Sequence, residues 1–198
     1  MNRPLRRFGF TLVEAMVATT ITALAGAVLL LAVETSLQTT ADATDSAIAE
    51  GIARQLVDEI MGHPYMDPDS DTPYQMPLTA SLWEWFGQGR ERFDDTDDYN
   101  GYSSRPVVSL LGVELGQEDG AGDLRHANFR LPADYFEQWS EQIEVYYVDD
   151  DDPSVRLTGS DTSNTRAVEV RIWRTLPDGA QRLLAHVRRV YAYVAFPL

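Results

Sequence analysis

The stretch FTLVEAMVATTITALAGAVLLLAV, Phe10 to Val33, is apolar or small throughout except for one acid, Glu14. As a helix rising about 1.5 Å per residue, it reaches about 36 Å, enough to cross a hydrocarbon core about 30 Å thick. It therefore reads as a single membrane span, residues 10–33. The preceding residues, 1–9, MNRPLRRFG, carry Arg3, Arg6 and Arg7 and no acid. Basic residues flanking a first span stay on the cytoplasmic side, so the N-terminus is expected inside and everything after Val33 outside. A secretory signal has a shorter apolar region of about 7–15 residues followed by a small-residue cleavage site. Hydropathy alone thus favours an uncleaved signal anchor. Glu14 conflicts with that reading, because a carboxylate within a span is costly and by default points to a function and a partner.

Composition narrows the function. The formal charge is −15, there is no cysteine, and every basic residue is arginine. Thiol nucleophiles, disulfides and cysteine-bound metals are excluded, as are lysine Schiff bases and a lysine-type phosphate loop. A nucleic-acid partner is not expected, since such surfaces neutralise phosphates with clustered cations.

The string Gly9-Phe10-Thr11-Leu12-Val13-Glu14 behind a basic leader resembles the processing site of type IV pilins and type II secretion pseudopilins. The resemblance implies that a prepilin peptidase cuts after Gly9 and methylates the new amino terminus of Phe10. It also implies that Glu14 pairs with the free amine of a neighbouring subunit during assembly. The implied partners are the peptidase, major and minor pilins or pseudopilins, an inner-membrane assembly platform and membrane lipid. The implied location is the inner membrane, single-pass with a periplasmic head, and then a pilus or pseudopilus. The physics agrees with such roles: cutting leaves a charged amine on an apolar helix, and burying it in a fibre requires a counter-charge. Many pilins carry a C-terminal disulfide loop, and its absence fits pseudopilins and some minor pilins. The competing reading is a membrane-anchored extracytoplasmic enzyme or binding module that keeps residues 1–9.

Past the span, residues 34–61 contain no proline, and Ala41, Ile48, Ile52, Leu56 and Ile60 recur mainly every four residues beside Ala49, Ala53 and Val57. This spacing predicts an amphipathic continuation of the helix over 34–62 that lays its stripe on a head at 63–198. Gly62-His63-Pro64 supplies the stop. In the head, Leu82-Trp83-Glu84-Trp85-Phe86 is expected to be core. Ile143, Val145 and Tyr147, and then Val168, Val170 and Ile172, alternate with mostly polar neighbours and predict strands. Leu176-Pro177-Asp178-Gly179 reads as a turn before a last strand over Arg182 to Phe196. The expected fold is α+β: a long N-terminal helix on a C-terminal antiparallel sheet, the architecture the pilin resemblance also implies.

Two acidic runs stand out, Asp94 to Asp98 before Asn100-Gly101, and Asp149 to Asp152. A solvated loop is the expectation for both. The alternative for the first is calcium, held by hard oxygens of Asp95, Asp97, Asp98 and Asn100. It is not an EF-hand, because Thr96 and Val107 fall where acids are required. This run more closely resembles a loop of minor pilins from mannose-sensitive haemagglutinin pilus systems. No other cofactor is expected. His63, His126 and His186 are widely separated, and neither a His-Glu-x-x-His pair nor a Gly-x-Ser-x-Gly elbow occurs, so no catalytic residue is expected.

Overall fold

The computed structural model describes residues 11–67, 70–87, 89–132 and 134–194. The proposed leader 1–9, its Gly9 and the following Phe10 lie outside them. The first element is one helix, α1, Leu12–Met61, of 50 residues. Its spatial contacts divide the chain into two units, one ending at Asp45 and the other starting at Ser46.

In the first unit the helix is exposed along its length, including Leu12, Val17, Ile21, Leu24, Val28, Leu31 and Leu37. It is long and apolar enough to cross a membrane and is a candidate anchor. Its threonines do not interrupt it. The hydroxyls of Thr20, Thr22, Thr35, Thr39, Thr40 and Thr44 each donate to the carbonyl four residues back, at 2.8–2.9 Å. Polar atoms are thereby satisfied within the helix, as an apolar medium requires.

The second unit holds the end of α1 and the sheet. Ala49, Ala53, Leu56, Val57 and Ile60 are buried, with Ile48 and Ile52 packed beside them. The stripe thus begins at Ile48. Ala41, expected within it, is exposed and belongs to the first unit. Each fully buried Leu, Val or Ile contributes about 1.5–3 kcal/mol. The helix ends as expected: the Gly62 N–H donates to Asp58 and Glu59 carbonyls at 3.1 Å, and His63-Pro64 leads the chain away.

Four strands follow in the order β1-β2-β3-β4, all antiparallel. They are β1 Ser103–Ser104, β2 Trp139–Tyr147, β3 Thr165–Thr175 and β4 Gln181–Ala192. Val145 faces Val168 and Ile143 faces Val170 across β2 and β3. Their side chains meet the α1 stripe together with Trp139, Phe93, Tyr99 and Tyr102. The turn at 176–179 forms, with the Leu176 N–H on the Ala180 carbonyl at 2.8 Å and Gly179 at φ 83°. Positive φ at that position favours glycine. The last strand ends at Ala192; Phe196 lies outside the described residues.

Residues 82–86 depart from expectation. They do not form core: Leu82, Trp83 and Phe86 are 80%, 69% and 75% exposed. Ser81 and Glu84 form a reciprocal cap that winds Leu82–Trp85 into one helical turn, α2. A single turn offers one side to the interior, and only Trp85 reaches inward, edge-on to Phe93. Arg92 lies over the Trp83 ring, 4.2 Å from its centre.

A fragment beginning at Thr35 removes the apolar span while keeping all of the second unit. It is expected to be monomeric in plain buffer with its sheet intact, read by size exclusion and circular dichroism. Aggregation of the fragment would contradict the division at the helix.

Candidate functional site

At its N-terminus, α1 is capped by Thr11 and Glu14. The Thr11 N–H and hydroxyl both donate to Glu14 Oε2 at 2.9 Å, and the Glu14 N–H donates to Thr11 Oγ1 at 3.2 Å. This is a capping box, whose sequence signal is Thr-x-x-Glu. Glu14 is fully exposed, so its carboxylate is open to a partner as well as to Thr11. Gly9 and Phe10 lie outside the described residues.

The first acidic run overturns the expectation of a solvated loop. Asp95, Thr96, Asp97 and Asp98 are all at most 5% exposed. The chain achieves this by supplying its own donors. Asp95 Oδ1 accepts the N–H groups of Asp97 and Asp98 at 2.8 and 3.2 Å, and Asp98 Oδ2 accepts those of Asp94 and Asp95 at 2.9 and 3.2 Å. Asp97 Oδ1 accepts from Arg166 Nη1 at 3.1 Å. Arg166 is itself fully buried on β3, where it also donates to the carbonyls of Tyr65 and Pro73 and to the Tyr147 hydroxyl. Its guanidinium lies 4.2 Å from the Tyr65 ring centre.

Among these three buried carboxylates Arg166 pairs with Asp97, while Asp95 and Asp98 rely on backbone N–H groups. Burial pushes the Asp95 carboxyl up to about 8, reinforced by the charges of Asp97 and Asp98. Burial likewise raises Asp98 to about 7 against its two backbone donors, and raises Asp97 against the pull of Arg166.

The residues named for calcium are not gathered as one ligand set. Asn100 turns toward the sheet: its amide donates to the Leu78 carbonyl at 2.8 Å, and its Oδ1 accepts the Val145 N–H at 3.0 Å. Gly101, at φ 82°, completes that turn. Carboxylate oxygens of Glu84, Asp94 and Asp98 instead lie within 4.8 Å of one another. Asp95, Asp97, Asp98 and Glu84 line an open cleft of about 460 Å³ with Asp67, Tyr74 and Gln75. The second acidic run is exposed from Asp150 to Asp152, as expected.

A second charged centre ties α1 to the sheet. Arg90, 1% exposed, holds Glu59 of α1 through two bonds of 2.8 and 3.1 Å, and reaches Glu141 of β2 at 2.9 Å. Tyr99 donates to Glu59, and Ser104 donates to the same oxygen of Glu141 that Arg90 reaches. Burial raises the Glu141 carboxyl, opposed by Arg90. Neither Arg90 nor Arg166 was singled out from the sequence, although Glu141 and Arg166 fall in the apolar phase of their strands. The histidines sit apart: His63 beside the Tyr99 ring, His126 capping the short helix Ala127–Phe129, and His186 on Glu169.

No protein-family model matches the chain, and no curated protein or solved structure matches it significantly.

Proposed function

We propose that the chain is a minor pilin or pseudopilin, a structural subunit that acts by polymerising and not by turning over a substrate. The observation that carries this reading is the Gly9-Phe10-Thr11-Leu12-Val13-Glu14 string behind three arginines, whose last three residues open an exposed apolar helix. The antiparallel sheet behind that helix is consistent with it. In this reading the precursor sits in the inner membrane with residues 1–9 cytoplasmic. Prepilin peptidase removes them and methylates Phe10. The apolar part of α1 then leaves the lipid and enters a fibre among other pilins or pseudopilins. In this reading Glu14, which is exposed at the helix start, pairs with the charged amine of a neighbour. Burying that amine without a counter-charge would be prohibitive.

Mass spectrometry of the chain isolated from its native membrane tests the reading. The expected species begins at N-methylated Phe10. A chain retaining residues 1–9 would overturn the proposal in favour of an anchored enzyme or binding module.

A further inference from the structure

The sheet ends in a strand that is long, open and of one charge sign. Strand β4 has 12 residues, is mostly exposed, and among the described residues has β3 as its only strand partner. Sheet edges are ordinarily shortened, broken by proline or covered. β4 contains neither proline nor glycine. The Tyr193 N–H sits on the Asn164 carbonyl at 2.8 Å. Antiparallel alternation from that bond turns the backbone N–H and C=O of His186, Arg188 and Val190 away from β3, toward the edge.

The charge of this strand runs against the rest of the protein. β4 carries Arg182, His186, Arg188 and Arg189 and no acid, in a chain of net charge −15. Arginines on an edge can act as guards against pairing, but only against some partners. A second copy of β4 would bring no carboxylate to meet these arginines. A strand bearing carboxylates meets the complementary arrangement. Arg188 is already oriented, with Nε donating to the Tyr146 hydroxyl at 3.1 Å and Nη2 to the Pro153 carbonyl.

From this we infer that the free edge of β4 takes an extended acidic segment of a different protein as a fifth strand. Main-chain hydrogen bonds supply affinity, and the exposed Arg189 selects for acid. This inference does not depend on the pilin reading.

The test uses the full chain in detergent micelles and a fluorescent peptide of alternating Glu and Val, as long as β4. Two controls replace Glu by Lys, or methylate alternate backbone nitrogens while keeping the charge. The Glu peptide is expected to bind and to slow amide exchange within 186–192, with both controls weaker by about tenfold or more. The Arg189→Glu variant is expected to weaken the preference for the Glu peptide over the Lys peptide. Equal binding of the N-methylated peptide would reduce the effect to charge adsorption and overturn the inference. So would protection outside β4, or no binding up to about 1 mM. The peptide comparison on the unaltered chain decides the matter even if the variant fails to fold.

Discussion

Replacing Gly9 by valine is expected to leave the chain in the membrane as an unprocessed precursor, with maturation lost almost completely on an immunoblot. The proposed scissile bond follows Gly9, where a peptidase reaching the backbone has no side chain to clear. A β-branched residue would crowd the bond on its acyl side. Normal maturation of Gly9→Val would sink the pilin reading outright. Glu14 acts later in the proposed sequence, so Glu14→Ala is expected to be cut normally and yet to be recovered poorly in sheared filaments. The capping box complicates that variant, since alanine also removes the acceptor for the two Thr11 donors. Glu14→Gln separates the two roles. It keeps an oxygen for Thr11 but carries no charge for a neighbour's amine, so it should incorporate as poorly as alanine. If Gln incorporates normally, Glu14 is only a cap.

The second large effect is expected at Arg166. Arg166→Met keeps much of the side chain's length but removes the cation that faces Asp97 across 3.1 Å. Breaking a buried pair from one side costs about 3–5 kcal/mol, because the remaining charge is stranded. Against a typical domain stability of about 5–15 kcal/mol this is severe. The loss should also depend on pH with a definite sign. Asp95 and Asp98 hold their protons in the folded state up to about 8 and about 7, well above the ordinary carboxylate range. Folding therefore takes up protons. The stability these groups contribute is fully present below about pH 4 and is lost as pH rises toward 8. Without Arg166 the Asp97 carboxyl joins them. Urea melts of the fragment beginning at Thr35 should show the penalty of Arg166→Met shrinking by about 1.4 kcal/mol or more between pH 7.5 and 5.5. It should not vanish, because the bonds to Tyr65, Pro73 and Tyr147 are lost at any pH. An equal penalty at both pH values would mean that Arg166 holds the loop by packing alone.

The helix and the meander were legible because their patterns are periodic. The four-residue recurrence from Ile48 to Ile60 and the alternation through Ile143 and Val168 each repeat one local rule, and local rules survive in sequence. The acidic loop was not legible, because its burial depends on an arginine about 70 residues away that only the fold brings near. A trace of it was nevertheless present. Glu141 lies in phase with Ile143 and Val145, and Arg166 in phase with Val168 and Val170, so each charge points into the core. A charged residue in the apolar phase of a strand signals a buried partner elsewhere. The aromatic run at 82–86 failed in the opposite way: composition suggested burial, but a single helical turn has too little interior side to bury four large residues. The string from Gly9 to Glu14 could be read without any fold, because it is a contiguous local pattern.

The double bond from Arg90 to Glu59 acquires a mechanical meaning once one end of the helix is held and the head is pulled. Glu59 lies one residue before Ile60, in the last turn of α1, and the same guanidinium grips Glu141 in β2. Tension arriving along α1 can therefore pass directly into the sheet by that route, sparing the loop at 62–67. The two bonds to Glu59 share the load, and shearing them apart would expose a guanidinium and a carboxylate to an apolar interior. Arg90 thus adds a polar tie to the packed stripe of α1, one that shear along the helix would have to break.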